Sequence, residues 1–449
     1  MFKRLVVLFI LIGSVANGQH TVKGELQPAE NYPWMLLYQL KGAKQNYVAY
    51  DSIKNSTFSI AIPKGKTPGI YRLVYDLKNR LFVDFIYADE DVALTFDPKK
   101  PNESVQFSVS EQNKIYRNYI KETQPVQQRL DSLQVLCFKA SDTKEQENIA
   151  NAYQKSHKTL TLLQQQFEAQ SNGKITNHFI KASARYNAEN PVKISADYLS
   201  SVKDHFFDNI DLNNEVLLNS TFINDKINDF IFYLNTSDDK KVHTKLYKEA
   251  IATVMAKIST NYNLAKDIEE GLLYTFAQQE NISMVNTVLN YYLQLPTELQ
   301  DRAFISDIKG QLKTAIGTIA PNILWTENNN PQSLHMLDGA SYYVVAFWSS
   351  TCGHCLIEMP VLYDFLKGNT KVKVIAVGLE EEASKAGWET QITSYPNFIN
   401  VYGENKWENK FAHGYGVNAT PTFFVLDAQK KVIAKPDDVA ELKLFFEEQ

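Results

Sequence analysis

The period of apolar and polar positions changes twice along this chain. Up to about residue 108, apolar residues come in short runs rich in aromatic and β-branched types: Trp34–Leu40, Thr57–Ile62, Ile70–Tyr75 and Val92–Phe96. Runs of that length predict strands, and Pro63, Gly65, Pro68, Gly69, Lys78, Asn79 and Pro98 mark turns between them. Short strands at this spacing predict an N-terminal antiparallel β-sandwich over 19–108. From 109 to 315 proline and glycine become scarce. There Tyr153, His157, Leu160, Leu163 and Phe167 recur at helical spacing, as do Phe304, Ile308 and Leu312, which predicts a central α-helical region. After Pro321 the elements alternate. Strands are expected at 342–347, 372–377, 398–402, 422–426 and 431–434, and helices at 352–366, 383–394, 407–413 and 439–447, which makes a C-terminal α/β domain over 316–449.

A chain of 449 residues exceeds one core, so a multidomain protein is expected. Its composition is 44% hydrophobic and 22% charged, ordinary for a soluble globular protein, and its net charge is −5 with no long basic run. That removes the electrostatic ground for a nucleic-acid partner. Residues 1–18 read as an address. Lys3 and Arg4 precede the apolar stretch Leu5–Ile12, and Ala16-Asn17-Gly18 offers small residues for cleavage before Gln19. The apolar run is shorter than the roughly 20 residues a spanning helix needs. The pattern therefore predicts a signal peptide and a periplasmic or cell-envelope location. No cysteine lies there to carry lipid.

The chain has three cysteines, too few for a disulfide scaffold. Cys137 lies in an apolar segment and is expected to be a buried, inert thiol. Cys352 and Cys355 are different. The apolar stretch Tyr342–Ala346 runs into Phe347-Trp348-Ser349-Ser350-Thr351-Cys352-Gly353-His354-Cys355, and an amphipathic helix follows. Two thiols thus stand at a helix N-terminus, where unpaired backbone N–H groups and the helix dipole favour a thiolate. A thiolate is the species that attacks disulfides. No cofactor is implied beyond a redox-active Cys352–Cys355 disulfide. His157, on an apolar helical stripe with no ligand partner one turn away, is expected to be a packed core residue rather than a metal ligand.

The C-terminal region resembles the thioredoxin-fold modules of the TlpA/ResA-like family, the secreted thiol–disulfide oxidoreductases. The resemblance is carried by Phe347-Trp348 before the motif, by the Cys352/Cys355 pair, and by Glu358 and Pro360 in Cys-x-x-Glu-x-Pro. It continues in Thr420-Pro421-Thr422 ahead of an apolar strand, and in Val425-Leu426-Asp427 followed by Lys431-Val432-Ile433. Residues 21–108 resemble a small β-domain found ahead of such modules in secreted proteins of Gram-negative bacteria, through Gly69-Ile70-Tyr71 and Gln112-Asn113. The resemblance implies a thioredoxin fold, protein thiol and disulfide substrates, and a membrane electron-transfer protein as a partner. It also implies a cis Pro421 beside the sulfurs, with Trp348, Thr420 and Pro421 meeting the substrate, and a Glu358 that moves protons to and from the inner cysteine. A buried Asp that thioredoxins carry in the strand before the motif is replaced by Ala346.

Cys352, at the helix start, is expected to attack, and Cys355, one turn in, to resolve the mixed disulfide. His354 as a cation would favour the Cys352 thiolate and a more oxidising couple. The direction stays open. The family resemblance points to a reductant, whereas Cys-Gly-His-Cys is the motif of protein disulfide isomerases. A peroxiredoxin-type peroxidase needs Thr or Ser three residues before its cysteine, which Ser349 satisfies, and a Pro four residues further back, where Val345 stands. Copper delivery through Cys352, His354, Cys355 and Met359 would want a wider cysteine spacing. A binding or scaffold protein with a secondary redox domain is the non-enzymatic alternative.

Overall fold

The computed structural model describes residues 20–30, 32–327 and 329–448; the expected signal peptide lies outside them. The chain divides into two compact units, Met1–Asp267 and Ile268–Gln449. The division falls inside the helix Tyr262–Gln278, so residues 268–315 group with the α/β domain rather than with the helices before them.

Among the described residues the first unit carries eight strands: β1 His20–Leu26, β2 Trp34–Lys41, β3 Lys44–Ser52, β4 Thr57–Ile62, β5 Gly69–Asp76, β6 Leu81–Tyr87, β7 Val92–Phe96 and β8 Gln106–Val109. They form two four-stranded sheets, β4-β1-β7-β8 and β3-β2-β5-β6. One core joins them, with Val22, Ile60 and Phe96 from one sheet meeting Leu37, Tyr71 and Phe85 from the other. The sandwich is not wholly antiparallel. β1 and β7 pair in parallel, because the chain passes through the other sheet between them and re-enters in the same direction. Gly69 takes φ +156°, and a Cβ there would stand 2.3 Å from the Asn219 carbonyl oxygen, so this turn requires glycine.

Helices follow, led by a hairpin of Glu111–Lys139 and Thr143–Gln170. Its second helix is capped by Asp142, which accepts from Glu145 N. The Tyr153, His157 and Phe167 stripe faces inward as the spacing predicts. Tyr153 and Phe167 are buried, while the half-buried His157 stacks on Tyr153 and holds the Asn187 carbonyl at 3.2 Å. Cys137 is buried and unpaired.

The second unit carries the last helices, among them Ile282–Tyr292 and Arg302–Gln311, and then the α/β domain. Its strands are β9 Leu324–Glu327, β10 Asn330–Ser333, β11 Tyr342–Trp348, β12 Val372–Glu380, β13 Ile399–Glu404, β14 Thr422–Asp427 and β15 Val432–Ala434. β9 and β10 form a separate hairpin. The other five make one sheet in the order β13-β12-β11-β14-β15, with β11 parallel to β12 and antiparallel to β14. This is the thioredoxin fold.

Strand alternation sorts the core of this sheet. Tyr343, Val345 and Phe347 pack on one face with Tyr415 and Phe424. Val344, Ala346 and Trp348 pack on the other against Cys355, Met359 and Leu362 of the helix Gly353–Leu366. Gly378 lets Trp388 lie on the sheet: a Cβ there would meet the indole nitrogen at 2.0 Å.

Candidate functional site

The site is built where β11 ends. The chain leaves the sheet at Trp348, turns through Ser349–Thr351, and starts a helix at Gly353 with Cys352 as its N-cap. The turn is closed by Cys352 N, which donates to Ser349 O at 3.1 Å. An N-cap side chain ordinarily accepts from a first-turn N–H through oxygen. Here sulfur does so: Cys352 Sγ accepts from Cys355 N at 3.2 Å. The expected placement of two thiols at a helix N-terminus is therefore realised by capping geometry.

The two thiols are chemically unequal. Cys352 is half-buried, and burial alone would push its pKa up. Hydrogen bonds from the Cys355 thiol, the Thr420 side chain, and the backbone N–H groups of Cys355 and His354 outweigh that and hold it below its usual value. Cys355 is fully buried. Burial, then its bond to Cys352, pushes its pKa up to about 12. One sulfur is thus accessible and thiolate-prone, the other shielded and protonated. Both are free thiols, the reduced state of the pair.

The Thr420–Pro421 peptide is cis, and its loop comes to the sulfurs from 68 residues away. The Cys352 thiol donates to the Thr420 carbonyl oxygen at 3.3 Å. The structure therefore brings Cys352, Cys355, Thr420 and Pro421 together.

The remaining expected residues sit differently. Trp348 has no exposed surface; it packs edge-on against Tyr395 beneath the helix. It presents nothing to a substrate, because period-two alternation turns it inward with Ala346, and it serves as the floor of the site. Glu358 is half-buried, and its Oε2 accepts from Val439 N at 2.9 Å. That bond satisfies a first-turn N–H of the C-terminal helix Val439–Glu447, so Glu358 is engaged in joining two helices. His354 is exposed, and what it gives Cys352 is its backbone N–H rather than its ring. Met359 is fully buried in the helix–sheet core.

One residue escaped the sequence reading. Glu380, the last residue of β12, is completely buried. Its carboxyl group accepts from Ser350 N, from Ser349 Oγ at 3.3 Å and from Ser384 Oγ at 2.7 Å. Ser349 Oγ in turn lies 3.0 Å from Thr351 Oγ1, which Lys406 Nζ approaches at 3.5 Å. A buried acid is tolerated only with such partners, so the turn that carries Cys352 is pinned from below. The available signal was an acid directly after the apolar run Val374–Leu379.

Comparison with known proteins gives the following. A family model described as thioredoxin-like matches residues 339–432. No curated protein sequence matches the chain. Among solved structures, a thioredoxin-like protein from Bacteroides caccae is 18% identical, with 59% of this chain and 98% of that one covered at a TM-score of 0.39. A domain of a possible thiol-disulfide isomerase from Cytophaga hutchinsonii is 31% identical, with 30% of this chain and 91% of that one covered at a TM-score of 0.26. A thiol:disulfide interchange protein from a Bacteroides species is 23% identical, with 30% and 90% covered at a TM-score of 0.27. With the sheet order, the capping cysteine and the family-model match in agreement, the chain belongs, through its C-terminal module, to the thioredoxin-like family.

Proposed function

We propose that this protein is a cell-envelope thiol–disulfide oxidoreductase that exchanges disulfides with protein substrates through Cys352 and Cys355. The observation that carries the reading is the inequality of the two thiols: the accessible one is held below its usual pKa and the shielded one is raised to about 12. A chain of two equivalent structural cysteines would show no such split.

In the reducing direction, the Cys352 thiolate attacks one sulfur of a substrate disulfide. An S–S bond forms to Cys352 and the substrate's other sulfur leaves as a thiolate. Cys355 then loses its proton and attacks the Cys352 sulfur. That closes the Cys352–Cys355 disulfide and releases the second substrate thiol, so two electrons have passed to the substrate. The oxidising direction is the same path reversed. Stabilising the Cys352 thiolate stabilises the reduced pair, which makes the couple more oxidising than an unassisted dithiol.

The test is equilibration of the mature protein with glutathione. The expected potential lies above the roughly −270 mV of thioredoxin. A value above about −200 mV marks an oxidase or isomerase, and one below about −240 mV a reductase fed by a membrane electron carrier. If no reversible couple forms, the oxidoreductase reading fails. A Cys355→Ser variant should accumulate mixed disulfides with envelope proteins through Cys352.

A further inference from the structure

The helical hairpin of the first unit does not close along its whole length. Packed antiparallel helices ordinarily bury an apolar stripe between them. Here Gln124, Gln127 and Asp131 recur at helical spacing on the helix Glu111–Lys139, and His157, Thr161 and Gln164 do so on the helix Thr143–Gln170. These polar stripes line a cleft of about 650 Å³. Its third wall is the segment 184–187, which follows the helix Thr176–Ser183 and has no secondary structure of its own. Side chains hold that segment in place. Arg185 grips Asp131 with both terminal nitrogens, at 2.5 and 3.2 Å. The Asn187 and Gln127 amides bond each other reciprocally, both at 2.9 Å. The Tyr186 ring stacks on His205 with centroids 4.1 Å apart. All of these residues lie within one compact unit, and their mutual bonds make the cleft a preformed one.

We propose that this cleft binds a neutral oligosaccharide. Nothing in the proposal depends on disulfide exchange. The chemistry of the lining selects the class. Its carboxylate and its guanidinium, Asp131 and Arg185, neutralise each other, so an ionic ligand would have to break a bidentate pair to enter. The groups left over are uncharged. Gln124, Gln128 and Gln165 line the cleft, are exposed, and bond through their side-chain amides to no other described residue. Each such amide presents two donor hydrogens and an acceptor oxygen in one plane. A sugar hydroxyl both donates and accepts, so neighbouring hydroxyls match it. Ile120, Leu160 and Tyr186 add apolar surface, against which the C–H face of a sugar ring packs. The two long walls are helices, whose main-chain groups are spent on one another. Recognition there runs through side chains, and a peptide strand finds no sheet edge to join. Length comes from a second hollow of about 440 Å³, which shares His157, Thr161 and Gln165 with the first and carries Lys158 and Glu189, again one charge of each sign. The two hollows together accommodate several linked sugars.

Thr161 provides the test. It lines both hollows, is exposed, and spends its hydroxyl on the His157 carbonyl of its own helix. A Thr161→Trp substitution therefore fills the junction at little cost to the helix. A triple variant, Gln124→Ala with Gln128→Ala and Gln165→Ala, removes the free amides and favours the helix. Thermal melts check that both variants fold, and either one alone suffices for the comparison. The full chain is mixed in turn with hexasaccharides of glucose, mannose, galactose, xylose and N-acetylglucosamine, and with an uncharged peptide of similar length. Saturation-transfer NMR reads which of them bind. At least one hexasaccharide should bind with a dissociation constant below about 1 mM. The triple variant should weaken that binding by about tenfold or more, Thr161→Trp should abolish it, and the peptide should give no transfer. Silence from every hexasaccharide overturns the proposal. So does a hexasaccharide that binds the variants as well as it binds the wild type, because its site then lies elsewhere. A peptide that binds where no sugar does, and that Thr161→Trp releases, overturns the ligand class and leaves a peptide cleft in its place.

Discussion

Two strand-to-helix junctions in this molecule are built alike and behave differently. In the first unit, β8 leads into the helix Glu111–Lys139 through Ser110, whose hydroxyl caps the helix by accepting from Asn113 N. That hydroxyl also donates to Glu90 and accepts from the Asn113 amide at 2.7 Å, and it is buried. Asn113 closes the joint by accepting from Ile86 N and donating to Ile86 O. In the second unit, β11 leads into its helix through Cys352, which caps by the same pattern. There the pinning is done one step away, by Glu380 on Ser349 and Ser350, and the capping atom itself keeps an open side. A joint whose cap is fully bonded is a fixture. A joint held from beneath, with its cap half free, can react without coming apart.

The comparison can be broken most severely by making the second cap like the first. Cys352→Ser keeps a capping side chain, so stability should change by less than about 1 kcal/mol, while disulfide exchange is abolished; denaturant melts beside a glutathione exchange assay check both. Next come the buried clamps. Asn113→Leu leaves the Ile86 N–H and C=O without their partner, and Glu380→Leu does the same to Ser350 N. Each group so orphaned costs about 1–3 kcal/mol. Glu380→Gln retains an acceptor and should recover much of the loss. The two positions should separate in function: only the Glu380 variants should also shift the thiolate titration of Cys352, read by ultraviolet absorbance. A smaller effect is expected at the caps' surroundings. Ser110→Ala should cost about 1 kcal/mol and leave the redox couple in place.

The pH dependence sharpens the contrast between the thiols. Because Cys352 lies below the usual thiol range of about 8.5, the rate of attack on a disulfide should rise with pH through that lowered value and level off before about 8.5. The reduced protein gains from the depressed pKa only where the thiolate exists, so this stabilisation is present above the ordinary thiol pKa and is lost as pH falls through the lowered one. His354→Ala should move the midpoint least of all. An exposed charge pair is worth at most about 1 kcal/mol, which is less than about 0.7 of a pH unit, and the backbone N–H remains.

The strands legible in the sequence are those that bury an apolar run, whether on one face or on both, as β11 does with nearly every residue of Tyr342–Trp348. β4 runs Thr57–Ile62 with every second residue buried, and its bounds match the pattern. β3 was hidden because none of Lys44–Ser52 is buried; pairing with β2 holds it, and pairing leaves no trace in hydrophobicity. The hairpin of β9 and β10 was missed for the same reason, with most positions exposed. At the site, Cys352 and Cys355 were readable because the chemistry lies within four consecutive residues. The closeness of Thr420 was legible only through resemblance, since nothing local announces a contact 68 residues away. Glu380 is easily passed over as a site residue because an acid at a strand end looks like a solvated terminus; Trp348, expected from the motif to meet substrate, is wholly buried, and Glu358 is half-buried with its carboxylate on Val439 N.

The depth of Cys355 bears on how the pair ages. An oxidant reaching this protein meets Cys352 first, since its partner has no exposed surface. A sulfenic acid formed there has a thiol three residues away with which to condense, giving the same disulfide that the proposed exchange would give, and that product is reducible where the higher oxides of sulfur are not. Under the proposed function the shielded cysteine would therefore cap damage as well as complete exchange: the first oxidative hit would return the protein to its working cycle instead of removing it.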